Sequence, residues 1–445
     1  MLDSRPEPAS GHADSVPVDE LGGQPAPRAL IAVEARFART PDGAIWTREG
    51  PAYDFFTRYL SAFSQVVVVA RVADAPSVAP DAHRVDGPRV TVQPIPHYVG
   101  PWQYLRRRKA VVRALRNADE ANAVLILRAP TVLGSLMAAA RERRGLPYAV
   151  EVMADPHTVY APGVVRHPLR PWLRWRYTAL LRRQCRTAIG VSYVTEQYLQ
   201  RRYPAGQHAA TAAYSSVELP ADAFVAKPPS PKQRDEYVIV SVGSLEMLYK
   251  GIDTLIMALS RLTAAGLPVR CIHVGTGRQQ ARLEQLATEL GVRHRIDFVG
   301  SVAAGAQVRQ YLDQADVFAM PSRTEGLPKA LVEAMARGMP AVGSSVGGIP
   351  ELLAEEDIVP PDDHVALAEA IERLLMDPAK RSRASVRNLA RARDFAQDVL
   401  QRRRNAFYEA LRQAVSDGRN SSGRLVRKPG HHAPTTSALG GRAVS

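Results

Sequence analysis

Two carboxylates eight positions apart, Glu325 and Glu333, stand where a short apolar run hands the chain over to a helix. Val317-Phe318-Ala319-Met320 has the continuous apolar character of a buried strand. A polar loop follows and turns at Gly326, and Pro328 opens a helix at a position where a missing N–H costs nothing. Gly338 and Pro340 end that helix. A strand that delivers a loop onto a helix N-terminus offers free N–H groups and a positive dipole end, which suits an anion. Were both glutamates helical they would lie ~12 Å apart along the axis. Two carboxyls that attack one bond sit about 5 Å apart. The pair is therefore better suited to gripping two parts of one elongated ligand.

The surrounding run is PSRTEGLPKALVEAMARGMPAVGSSVGGIPEL. Its EGLP, EAMA-G-P and VGGIPE segments closely resemble the donor-binding signature of family-4 retaining glycosyltransferases of the GT-B fold (glycosyl transferases group 1). The resemblance is strong over the C-terminal part of the chain. Over the N-terminal part it rests on Ser192-Tyr193-Val194-Thr195-Glu196 and the strand pattern. It implies that Glu325 binds hydroxyls of a transferred sugar and Glu333 a nucleotide ribose. Backbone around Gly326, Leu327 and Pro328 would hold sugar and phosphates, and Val299 and Gly300 the base.

A departing diphosphate needs fixed positive charge, and Lys250, just ahead of a helix start, matches the family's lysine. The family's arginine six residues earlier is Ser244 here, so half of the usual cation pair is missing. Arg323 and Lys329 are the substitutes in reach, with a solvated position as the alternative for both. Gly43 and Gly50 are candidates for the glycine-bearing loop after the first strand, although the family's adjacent glycine pair is absent. Asp155 and His157 are candidates for the acceptor side, in an order altered from the family's His-Asp; a plain Asp-Pro turn is the other reading. The resemblance further implies retention of configuration with no enzyme nucleophile, the leaving phosphate helping to deprotonate the acceptor. No Asp-x-Asp occurs, so neither a metal bridge nor any cofactor is expected. The donor would be a nucleotide-diphosphate sugar, a UDP-sugar ahead of a GDP-sugar.

The elements that must position these residues alternate along the chain. Apolar runs at 29–33, 66–69, 123–127, 148–152 and 188–192 are separated by helical segments, as in a doubly wound, mainly parallel sheet. A second set begins at Tyr237. The sequence thus predicts α/β architecture with two Rossmann-like domains facing a cleft and a C-terminal helix crossing back to the first. The expected divisions are a disordered leader at 1–27, an acceptor-side domain at 28–225 and a Pro-rich linker at 226–236. A nucleotide-sugar domain follows at 237–384, a crossing helix at 385–412 and a disordered basic tail at 413–445. A long loop is expected from Arg36 to Tyr53. Gly275-Thr276-Gly277 lacks the third glycine of a dinucleotide fingerprint, Gln280 standing in its place, which excludes an NAD site.

The 445 residues suffice for two domains. Cys185 and Cys271 are the only cysteines and have no metal-binding spacing, consistent with a reducing cytoplasm. No run approaches a membrane span, and no signal peptide is expected. The net charge of +14 implies an anionic partner, and no nucleic-acid motif accompanies it. Two basic–aromatic stretches, Trp102 to Arg116 and Arg166 to Arg186, suit docking on the inner face of an anionic membrane, which would make the acceptor lipid-linked. A solvated face in an arginine-biased chain is the alternative. Taken together, the expectation is a metal-independent glycosyltransferase of polysaccharide, glycolipid or natural-product assembly. A same-fold sugar-nucleotide epimerase and an inactive sugar-nucleotide-binding partner are the competing readings.

Overall fold

The run Ala29–Val33 is apolar at every position, as a strand covered on both faces requires, and it begins β1 (Ala29–Arg39). The computed structural model describes residues 26–48, 50–161, 167–215, 217, 219–230 and 234–418. β1 outlasts its apolar run, turns at Gly43 and returns as β2 (Ile45–Thr47), paired antiparallel. The loop expected from Arg36 to Tyr53 is thus partly a hairpin. α1 (Tyr53–Thr57) and β3 (Val66–Asp74) follow, then β4 (His83–Arg84), β5 (Val90–Pro96) and α2 (Gly100–Ala118). β6 (Val124–Ala129), α3 (Val132–Arg144), β7 (Ala149–Val152), α4 (Pro156–Val159), α5 (Arg170–Thr187), β8 (Gly190–Tyr193), α6 (Tyr198–Arg202) and β9 (Ala210–Ala213) complete the first domain. Its parallel strands run β5-β3-β1-β6-β7-β8-β9, with β2 and β4 as an antiparallel appendage.

The second domain is a wholly parallel sheet. It contains β10 (Tyr237–Val242), α7 (Ile252–Ala264), β11 (Val269–Val274), α8 (Gln280–Glu289), β12 (Ile296–Gly300) and α9 (Ala306–Gln314). β13 (Val317–Met320), α10 (Lys329–Ala336), β14 (Ala341–Ser344), β15 (Ile358–Val359) and α11 (His364–Met376) follow. The strand order is β12-β11-β10-β13-β14-β15. Ligands of such sheets bind beyond the carboxyl ends of the strands where the order reverses. Here that point lies between β10 and β13, whose following loops carry Lys250 and Glu325.

The closing segment is two helices rather than one. α12 (Pro378–Ala392) packs on the second domain, and a short 3-10 turn precedes α13 (Gln397–Ser416), which lies on the first. Position 384 therefore falls inside a helix, because Asp377 caps α12 by accepting from the Lys380 N–H. The expected tail likewise begins within α13; residues 419–445 and 1–25 lie outside the described residues. α13 is held by a buried carboxylate. Glu151 on β7 accepts from the hydroxyls of Tyr59, Tyr214 and Tyr408, each at 3.0 Å. Tyr408 also stacks on Tyr59, with centroids 4.8 Å apart.

Candidate active site

β13 ends at Met320 and its loop carries Glu325 against the turn after β10. Lys250 Nζ donates to Glu325 Oε1 at 2.7 Å, and Ser322 Oγ donates to the same oxygen at 2.7 Å. Oε2 has no protein partner among the described residues, leaving it for a ligand hydroxyl. The two loops can approach this closely because Gly251 is left-handed, with φ +69°; a Cβ there would stand 1.9 Å from the Pro321 carbonyl.

Arg323 does not face solvent. Its guanidinium makes a two-pronged pair with Asp253 at 2.9 Å and an ion pair with Asp362 at 2.6 Å, and it donates to the Leu248 carbonyl. It locks the 248–250 turn to the 321–325 loop and so is already spent as a replacement for the missing cation. Lys329 lies 3.7 Å from Glu333 one turn along α10. Burial pushes the Glu333 carboxyl above its ordinary range, and Lys329 partly offsets this.

The Gly326 carbonyl accepts from the Gly348 N–H at 2.7 Å, and Pro328 is the extended residue capping α10. Leu327 packs into both domains' cores. Ser244 Oγ accepts from the Glu246 N–H at 3.2 Å, closing its own loop. Val299 and Gly300 end β12, and the Gly300 carbonyl accepts from the Gly275 N–H at 2.9 Å. Gly277 is small for a packing reason, since a Cβ there would sit 2.2 Å from the backbone of Leu245 and Glu246. The glycines of 275–277 thus let the 243–246 loop settle on them. Beneath that loop His273 is fully buried, its Nε2 3.1 Å from the Gly243 carbonyl. Burial lowers its imidazole to about 4, so it is a neutral strut.

Across the cleft the first domain holds a cavity of about 1180 Å³, with Arg36, Gly50, Arg128, Met153 and Tyr160 among its walls. Met153 joins the two halves, because its carbonyl lies against Gly326. Arg128 is fixed by Glu151 at 3.7 Å and by the Phe55 ring at 4.3 Å. Glu34 is neutralised by Arg71 at 3.2 Å and accepts from the Val132 N–H, at the start of α3, at 3.0 Å.

Three expected positions need correction. Gly43 is not at the cavity; it closes the β1–β2 turn with φ +86°, its N–H donating to the Thr40 carbonyl. Asp155 is buried and committed to the fold. One oxygen accepts from the His157 N–H at 2.9 Å and from the Tyr203 hydroxyl; the other takes the Tyr198 hydroxyl at 2.7 Å and pairs with Arg202 at 3.3 Å. His157 lines a different groove, its Nδ1 3.1 Å from the Arg174 guanidinium.

Ser322, His273, Arg128 and Glu351 were not singled out by motif reasoning. Of these, Ser322, three residues before Glu325, and Glu351, the last residue of the VGGIPE segment, lay within reach of a local signal. Glu351 acts across the domains: its carboxylate accepts from the backbone N–H groups of Glu196, Gln197 and Tyr198 at 2.6, 3.0 and 2.5 Å.

Residues 223–392 match the family "Glycosyl transferases group 1". The chain is 25% identical over 345 residues to Protein CapJ of Staphylococcus aureus, spanning 76% of this chain and 84% of CapJ. It is 32% identical over 157 residues to the GDP-mannose-dependent monoacylated alpha-(1-6)-phosphatidylinositol monomannoside mannosyltransferase of Corynebacterium glutamicum, covering 33% of this chain and 40% of that protein. In fold it resembles sucrose-phosphate synthase of Thermosynechococcus elongatus, with TM-score 0.63 and 20% identity over 87% of this chain and 100% of that one.

Proposed function

We propose that the chain, whose residues 223–392 match the group 1 glycosyltransferases and whose fold is GT-B, carries out retaining transfer from a nucleotide-diphosphate sugar to a hydroxyl acceptor. The observation that carries the reading is the Lys250–Glu325–Ser322 constellation, set beside the loop that meets the acceptor-side cavity at Met153. Glu325 Oε2 takes a sugar hydroxyl while Lys250, which has further N–H donors, neutralises the diphosphate as the glycosidic bond breaks. Glu333 takes the ribose. Its partly buried carboxylate makes a strong acceptor for hydroxyls that have left water. The leaving phosphate receives the acceptor proton, so no metal and no enzyme nucleophile takes part. Polysaccharide, glycolipid and natural-product assembly all draw on this chemistry. Among the described residues no helix is long and apolar enough to cross a membrane.

UDP-sugars head the order of donors to try, with GDP-sugars next because the mannosyltransferase relative's name specifies GDP-mannose. The test is a melting-temperature panel of UDP-, GDP-, ADP- and dTDP-sugars on wild type and Glu333→Ala. One nucleotide sugar should raise the melting temperature of wild type alone by a few degrees, about 3 kcal/mol at a hundredfold excess over Kd. No response to any would sink the reading. A changed nucleotide sugar released without acceptor would point to an epimerase.

A further inference from the structure

Three of the chain's four tryptophans are exposed, and all three lie at the starts of two helices remote in sequence. At the start of α2, Val99, Trp102 and Leu105 are 47%, 78% and 57% exposed; at the start of α5, Leu169, Trp172 and Trp175 are 57%, 52% and 67% exposed. Clustered apolar groups of this size mark a surface that is covered in use. Both helix starts border the same cavity: His97 and Val99 line it from the α2 side, Tyr160 and Tyr177 from the α5 side. Tyr98 packs on Tyr104 at 5.3 Å, and Tyr160 stacks on Tyr177 at 5.6 Å. Tyr177 of α5 and Val99 at the head of α2 thus stand at one cavity mouth.

The charges around this rim have one sign. Arg106, Arg108, Lys109 and Arg113 of α2 are exposed. Among the described residues none of them has a carboxylate within ion-pair reach. Beside Trp175, a groove of about 490 Å³ is lined by Arg170, Arg174, Arg182 and Arg202. Of these, among the described residues, only Arg202 meets a carboxylate, Asp155. The others donate to backbone: Arg170 to the Tyr160 carbonyl, Arg174 to that of His157 and Arg182 to that of Arg202. In the cavity itself Arg36 likewise has no carboxylate partner among the described residues, and Glu34 is committed to Arg71. An arginine rim with exposed indoles complements lipid phosphates above an acyl boundary.

We propose that the starts of α2 and α5 seat the first domain on an anionic bilayer, so that the cavity between them receives a phosphorylated lipid headgroup as the hydroxyl acceptor. The proposal rests on the transferase reading and names its substrate class. In the step it implies, the headgroup oxygen bonds to the glycosyl carbon. The nucleoside diphosphate departs with the electron pair of the broken bond and takes the hydroxyl proton.

The experiment is vesicle flotation with phosphatidylcholine alone and with added phosphatidylglycerol, at low and high salt. Binding should require phosphatidylglycerol and weaken with salt. Trp102→Ala/Trp172→Ala/Trp175→Ala and Arg106→Glu/Arg108→Glu should each lower the apparent affinity about tenfold or more. Because these side chains are exposed, the melting temperature and its response to nucleotide sugar should stay as in wild type. Arg36→Ala should lower affinity for the anionic vesicles severalfold; no change would overturn the cavity as the headgroup site. Equal binding to neutral vesicles, undiminished binding by the variants, or displacement from vesicles by a DNA duplex at equal phosphate concentration would each overturn the bilayer assignment. A protein that ignores vesicles but responds to a nucleotide sugar loses this proposal and keeps the transferase reading. Vesicle binding without any nucleotide-sugar response overturns the transferase reading, and with it the headgroup's role as acceptor, and keeps only the bilayer seat.

Discussion

The donor half of the cleft is stitched by ion pairs, whereas the acceptor half is braced by buried carboxylates bonded to tyrosines. Between β10 and β13, Lys250–Glu325 and Arg323–Asp253 join loops some seventy residues apart at 2.7 and 2.9 Å. In the first domain, Glu151 and Asp155 each collect tyrosine hydroxyls from distant segments. The difference separates carboxylates available to a ligand from those spent on the fold. Among the described residues Glu325 keeps one oxygen without a protein partner, while both oxygens of Asp155 are occupied. Both sets lie largely out of water, the Lys250 and Glu325 side chains being 17% and 9% exposed, so both should cost stability on losing a partner, and the two halves should differ in what their loss does to transfer.

The largest expected effect falls on the donor half. Glu325→Ala should lower kcat/KM about a thousandfold, some 4 kcal/mol of transition-state stabilisation, and lower the unfolding free energy in urea by about 1–3 kcal/mol, because Lys250 and Ser322 lose their shared acceptor. Steady-state kinetics with denaturation on the same preparation reads both. Retained turnover would dissolve the contrast.

Asp155 tests the acceptor half, where loss of stability should come without loss of donor affinity. Asp155→Ala strands Arg202 and two tyrosine hydroxyls and should destabilise the chain by about 3 kcal/mol. Calorimetric affinity for the nucleotide sugar should stay near wild type below the melting range. A stable variant that binds donor but fails in transfer would return Asp155 to the acceptor chemistry.

The smallest effect sharpens the donor half from within. Glu333 has a folded-state pKa raised by burial, so the native state holds its proton more tightly than the unfolded chain. This contribution to stability is present below the ordinary glutamate pKa and is lost as pH rises through the raised value. Glu333→Gln should flatten that decline, leaving the variant roughly a degree or two more stable than wild type at neutral pH yet weaker for donor. Melting curves from about pH 4 to 7 compare the slopes; parallel curves would remove the burial argument.

Much of the second domain was legible because its cues are local. Val317–Met320, the turn at Gly326, the helix from Lys329 and the stop at Gly338 are all strand, turn and cap chemistry within a score of residues. The alternation of apolar runs likewise carried the two parallel sheets. Element ends were less legible: β1 runs on to Arg39 because a hairpin partner satisfies its polar half, and α12 begins at Pro378 because Asp377 caps it.

The sequence by itself determined the two-domain architecture and the placement of Glu325 and Glu333 on a loop and a helix, since local propensities and short spacings suffice for those. Only the tertiary structure decided that Arg323 is a brace, that Asp155 is structural and that the starts of α2 and α5 share one cavity mouth. Each of those facts depends on partners tens of residues away, brought together by packing, and an exposed arginine or a buried aspartate has the same letter whether it meets a ligand or holds the fold.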